Sequence, residues 1–211
     1  MRFCLSAMRS VIDFFKAGMN FRDLLISRVR VRLLEIFLTN PAEMYHVREL
    51  VRRTGEEINA VRRELAHLEK AGLLKKEPRG NRLYYWPRKD YAFYSELCSI
   101  VAKTTGIGQD FLRDRTKLGK ISFVCFSEKF IKRIPREKDE VDILVVGEVV
   151  LPELASVVRA EESKRGAEIN YTVMTSEEFD FRKKRRDPFL LGILGGAKVM
   201  IIGEEINLVK F

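Results

Sequence analysis

Asn59, Arg62 and Arg63 lie within a single stretch of five residues, and a second group of donors, Lys75, Arg79, Asn81 and Arg82, follows shortly after. These residue types suit one kind of chemistry. An arginine can bridge O6 and N7 of guanine, an asparagine can pair bidentately with adenine, and further cations hold phosphate oxygens without regard to sequence. Adjacent arginines are otherwise just a solvated helix face. Their meaning depends on the elements that present them.

Val47, Leu50 and Val51 recur at helical spacing and are followed by Thr54-Gly55, a helix stop. A second helix is expected within about four residues, with Asn59 as its N-cap and Ile58, Val61, Leu65 and Leu68 as its apolar stripe, ending at Ala71-Gly72. On that stripe Arg62 and Arg63 point outward. Residues 73–78 and 82–86 then read as two strands joined by Arg79-Gly80-Asn81, a hairpin with a basic tip. The order of helix, turn, helix and basic hairpin predicts a winged helix-turn-helix. In that arrangement Asn59, Ala60, Arg62 and Arg63 occupy reading positions, and Lys75, Arg79, Asn81 and Arg82 contact the backbone or minor groove.

The charge is divided unevenly. Residues 1–120 carry 24 Lys and Arg against 14 Asp and Glu, whereas residues 121–211 carry 15 against 16. The basic half points to a polyanion partner, expected to be double-stranded DNA, and the neutral half to a regulatory or interaction module. Cys4, Cys98 and Cys125 form no CxxC pair, and His46 and His67 are the only histidines. Neither a disulfide framework nor a Cys-based metal site is indicated; His46 and His67 read as capping or surface residues, and the location as cytoplasmic. Residues 1–20 mix apolar and charged residues too closely for a signal peptide or membrane span. They read as an amphipathic helical extension, a candidate dimer contact, with an upstream extension preceding Met19 as the alternative.

Residues 20–38 fit two patterns, because Arg28, Arg30 and Arg32 alternate with apolar residues while Val29, Leu33, Ile36 and Phe37 keep helical spacing. The stop at Thr39-Asn40-Pro41 favours helix. The expected divisions are an extension at 1–20, the DNA-binding domain at 21–90, connecting helices at 91–118 and an α/β domain at 119–211. In the last, residues 121–126, 141–146, 169–174 and 198–202 read as buried strands, with helices opened by Pro152, by Thr175 through Glu178, and by Pro188. The fold class is α+β with two domains. The basic run from Arg182 to Arg186 reads as a solvated helix face or loop.

The segment HVRELVRRTGEEINAVRRELAHLEKAGLLKKEPRGNRLYYW resembles the winged-helix domain of ArsR-like regulators, specifically those fused to a minimal nucleotidyltransferase-like domain. The likeness extends from about Leu24 to Gly203 through DEVDILVVGE, GAEINYTVMTSEEF and DPFLLGIL. It implies a homodimeric transcriptional regulator whose second domain has a mixed sheet. It also implies where transfer chemistry would sit: a Gly-Ser loop against the triphosphate and an Asp-x-Asp pair on divalent metal. Here those positions read Phe126-Ser127 and Glu140-Val141-Asp142. Ser127, Glu140 and Asp142 are therefore vestigial catalytic candidates, and Glu140 and Asp142 the only metal candidates, with Glu168 the nearest third acid. Phe126 is expected to fill the pocket, and the two acids to open a strand and face solvent. No cofactor is expected, magnesium and nucleotide entering only if the second domain still binds them. The alternatives are an active nucleotidyltransferase guided to nucleic acid by the winged helix, and a structural partner of another transferase-type subunit.

Overall fold

The computed structural model describes residues 27–210, so the expected extension at 1–20 lies outside the described residues. The chain forms two units that divide between Thr104 and Thr105. Each is a mixed α+β body with its own sheet.

In the first unit, α1 (Arg28–Thr39) is a helix whose Ser27 hydroxyl accepts from Arg30 N. Val31, Leu33, Leu34, Phe37 and Leu38 are buried, which settles the two competing patterns in favour of helix. Each buried side chain of this size contributes about 1.5–3 kcal/mol. The alternating arginines have other uses. Arg30 Nε donates to Glu64 Oε2 at 2.8 Å, where Ser27 Oγ also donates to Glu64 Oε1 at 2.8 Å. Arg32 pairs with Glu56 at 2.7 Å and donates to the Thr54 carbonyl.

The next elements are β1 (Tyr45–His46), α2 (Val47–Thr54), α3 (Ile58–Lys70), the hairpin strands β2 (Leu74–Arg79) and β3 (Arg82–Pro87), and α4 (Tyr94–Thr104). His46 caps α2, its Nδ1 accepting from Glu49 N. Gly55 ends that helix with φ of 67°, a left-handed conformation that strains any residue with a Cβ. The strand order is β1-β3-β2, all antiparallel, so β1 ties the start of α2 to the hairpin. Tyr45, fully buried, packs edge-on against Phe37 at 5.7 Å and fastens that corner to α1.

Glu64 is the polar bolt between α1 and α3. It is only 6% exposed; burial pushes its carboxyl up, but the hydrogen bonds from Ser27 and Arg30 outweigh this and hold it below its ordinary value of 4.5. A depressed folded value means that the stabilisation is present above the unfolded pKa and lost as pH falls through the folded one. Glu64→Ala is expected to cost about 1–3 kcal/mol, and the loss should shrink below pH 4. Denaturant midpoints of both proteins across pH 3–7 measure this; equal midpoints at neutral pH would contradict it.

In the second unit, α5 (Gly106–Arg113), α6 (Arg115–Leu118), β4 (Gly119–Ser127), α7 (Glu128–Ile131), β5 (Ile143–Val149), α8 (Leu151–Arg165), β6 (Tyr171–Met174), α9 (Ser176–Lys184), α10 (Pro188–Gly195), β7 (Lys198–Ile202) and α11 (Glu205–Val209) follow in order. The region expected as a connector is thus shared out: α4 packs on α1 in the first unit, while α5 and α6 belong to the second. The sheet order is β6-β5-β4-β7, with β5 and β6 parallel and the other pairs antiparallel, a mixed sheet. Residues 143–147 of β5 are buried without alternation, as befits a strand covered on both faces. One face carries Cys125, Leu144, Val146, Phe179, Leu190 and Leu194. On the other, Phe126 packs against Phe111 at 5.9 Å and Phe130 at 5.4 Å.

Candidate nucleic-acid interface and the cavity of the second unit

The α3 helix begins one residue before Asn59. Its N-cap is Glu57, whose carboxylate accepts from Asn59 N at 2.8 Å and Ala60 N at 2.9 Å, so the expectation that Asn59 caps the helix is corrected. Ile58 belongs to the apolar stripe, which requires the helix to start before Asn59 can serve as cap. Asn59 instead stands exposed in the first turn. The two N–H donors hold the Glu57 carboxyl below the usual range. An internal carboxylate already fills the place where a phosphate would dock on the helix N-terminus.

Further along α3, Val61, Leu65 and Leu68 are buried, which turns Arg62 and Arg63 to solvent. On the hairpin Lys75, Arg79, Asn81 and Arg82 are exposed. Gly80, at φ of 60°, takes the first of the two central positions of the turn. Arg79 and Arg82 stand directly opposite one another across the strands. Like charges in that register repel. Arg79 is partly relieved by Glu77 at 3.3 Å, whereas Arg82 pairs with no carboxylate among the described residues. The same holds for Arg62, Arg63 and Lys75. By contrast Arg28, Arg30, Arg32, Arg53 and Lys76 all form ion pairs. The paired cations brace α1, α2, α3 and the base of the hairpin, and α3 and the hairpin present Arg62, Arg63, Lys75 and Arg82 unpaired. Arg30 and Arg32 are positioning residues that the sequence reading takes only as pattern; their alternation with apolar residues is the signal, and their partners lie 34 and 24 residues away.

In the second unit Ser127, Glu140 and Asp142 line one cavity of about 630 Å³, bounded opposite by Pro188, Phe189, Gly192 and Ile193. Their side chains are already engaged. Ser127 Oγ caps α7 by accepting from Phe130 N at 3.2 Å. Asp142 is only 5% exposed, which corrects the expectation that it faces solvent; it accepts from Arg136 Nε and from Asn170 N, each at 2.9 Å. Glu140 pairs with Lys129 at 2.5 Å and accepts from Glu137 N at 2.8 Å, and these two bonds, the lysine's first, lower its carboxyl pKa. Two protein cations stand where the resemblance would put metal. Glu168 is exposed and does not line the cavity.

The expectation that Phe126 fills the pocket is corrected, since Phe126 does not line the cavity. Strand alternation sends Cys125 and Ser127 to the cavity side and Phe126 to the opposite face. The obstacle to a phosphate cradle is instead α7, whose Glu128 and Lys129 stand at the lining. Among the described residues no group of three or more His, Cys, Asp or Glu is placed to hold a metal, and no helix is long and apolar enough to cross a membrane.

No family model and no solved structure matches the chain. Over 86 residues, 39% of the chain, it is 34% identical to an uncharacterized HTH-type transcriptional regulator of Methanocaldococcus jannaschii, and the match spans 22% of that protein's length. The chain is similar to a helix-turn-helix regulator, and its first unit has two short helices joined by a tight turn followed by a hairpin.

Proposed function

We propose that the chain is a double-stranded-DNA-binding transcriptional regulator of ArsR-like type, acting in the cytoplasm as a homodimer. In this reading α2, α3 and the β2–β3 hairpin form a winged helix-turn-helix. Arg62, Arg63 and Asn59 enter the major groove, and Lys75, Arg79, Asn81 and Arg82 hold the phosphates or the adjacent minor groove. The observation that carries it is the set of exposed, unpaired cations on the helix-turn-helix and the hairpin. Arg30 and Arg32 on α1 are neutralised by carboxylates, while Arg62, Arg63, Lys75 and Arg82 stand exposed and, among the described residues, unpaired on α3 and the hairpin, as do Arg48 and Arg52 on the neighbouring α2 and Lys70, Lys89 and Lys103 elsewhere in the unit. Such charges raise the free energy of the free protein and are relieved by a polyanion. Homodimerisation is supported by Phe93 and Ile100, seven residues apart at α4, which are 61% and 36% exposed.

The second unit is, on this proposal, a nucleotidyltransferase-like domain without catalysis, serving as sensor, dimerisation or partner-binding module. The pairing of Glu140 and Asp142 with Lys129 and Arg136 supports it, because a divalent metal would have to displace both. The enzyme reading retains one favourable observation, that Ser127, Glu140 and Asp142 do share one cavity.

Each neutralised phosphate contributes about 0.9 to the slope of log K against log salt. With roughly six contacts in a dimer, affinity should fall about a thousandfold between 50 and 200 mM salt. Titration of a labelled duplex with the full chain at several salt concentrations measures this. A flat dependence would refute the reading.

A further inference from the structure

We propose that the cavity of the second unit binds a small organic cation with an apolar body, rather than a nucleotide. This names a ligand class for the sensor role proposed above and rests on that reading for its regulatory meaning.

The argument begins with the charges at the lining. Glu128 is paired with Lys132 at 2.5 Å, Lys129 with Glu140 at 2.5 Å, Asp142 with Arg136 at 2.9 Å and Lys198 with Glu205 at 3.1 Å. Asp139, the remaining ionisable residue of the lining, is exposed and has no partner among the described residues. The cavity therefore offers one unopposed negative charge and no unopposed positive one. A polyphosphate entering it meets cations already neutralised and a free carboxylate at the edge. An ammonium group meets an acceptor.

The other wall gives the body of the ligand. Leu144, Pro188, Phe189 and Ile193 line it, and Phe189 is 42% exposed. A pocket with an apolar wall and a few convergent polar groups, within the 300–1,000 Å³ range of small-molecule sites, selects an amphipathic ligand. The exposed aromatic face adds a second attraction for a cation. Gly192 leaves that wall open: nothing stands within 4 Å of where its Cβ would be. A larger residue there would occupy the cavity without disturbing the helix that carries it.

The test uses the full chain and two probes of similar shape and opposite charge, phenethylamine and 3-phenylpropionate. Binding is read from the amide signals of Gly192, Gly196 and Ala197. Phenethylamine should shift them saturably, and 3-phenylpropionate should not. Asp139→Asn should weaken the amine about threefold to fivefold, the worth of one partly screened ion pair, and Gly192→Leu should weaken it at least tenfold. Equal binding of the anion, or amine binding unchanged in Gly192→Leu, would overturn the proposal. The duplex titration is run on the same samples, and unchanged amide signals of the buried residues Leu144, Val146 and Phe179 check that the second unit of each variant is folded. Absent amine binding with intact duplex binding overturns this inference alone, and the reverse result overturns the regulator reading alone.

Discussion

Replacing Arg62 and Arg63 together by alanine is expected to flatten the sequence preference of the protein while leaving its fold intact. Both side chains are exposed, neither braces another element, and alanine is a better helix former than arginine. Whatever is lost is therefore lost at the nucleic acid. A bidentate contact to a base discriminates by about 1–3 kcal/mol, so two such contacts amount to between one and four orders of magnitude in preference for the best site. Lys75→Ala and Arg82→Ala should behave differently. Their loss should weaken all duplexes alike and lower the salt slope of the homodimer by about two units each, one per protomer. Selection from a random duplex pool separates the two classes. Recovery of the same motif by the Arg62→Ala, Arg63→Ala protein as by wild type would remove α3 from the reading position.

The second large effect is expected at Asp142, and it is structural. The carboxylate, just before β5, is nearly buried and joins two segments: Arg136 from the preceding loop and Asn170 at the entry to β6. Truncation to alanine leaves a guanidinium and a backbone N–H without their acceptor at a position only 5% exposed. Breaking a buried pair in this way costs about 3–5 kcal/mol, and somewhat less here because Arg136 is 24% exposed. Asp142→Ala should thus lower the denaturation midpoint of the second unit sharply. Incubation of the wild type with labelled nucleoside triphosphates, magnesium or manganese and protein acceptors should give no transfer. Incorporation by wild type that vanishes in an Asp142→Asn protein of unchanged stability would promote the enzyme reading instead.

What was legible in the sequence was what is decided locally. Gly55 stops α2, Gly80-Asn81 turns the hairpin, Thr175 caps α9 and Pro188 opens α10, because each depends on a few neighbouring backbone groups. The Asn59 expectation failed at the same scale. Two candidate caps lay within three positions, and because the helix already begins at Ile58 the cap is Glu57. The contacts that position the sites were illegible for a different reason. Glu64 meets Arg30 across 34 residues, and Asp142 meets Asn170 across 28. No periodicity encodes such pairings; only the packed topology does. Phe126 lies between these cases. The period of two along β4 already places it on the face opposite Cys125 and Ser127, whereas the likeness to a glycine position implied the cavity side. The division at Thr104 was hidden because the helices of 91–118 read together as connectors until their buried faces, Tyr94, Cys98 and Val101 on one side and Ile107, Phe111 and Leu118 on the other, are assigned to separate cores.

The central claim is that duplex DNA is held by α3 and the hairpin tip. Its most direct test is the titration of isotope-labelled protein with a duplex, following each backbone amide. The account predicts perturbation concentrated at residues 59–63 and 75–82, diminishing as salt is raised, while the cavity amides of Gly192, Gly196 and Ala197 stay in place. Perturbation confined to residues 105–210, or none at all at low salt, would contradict it.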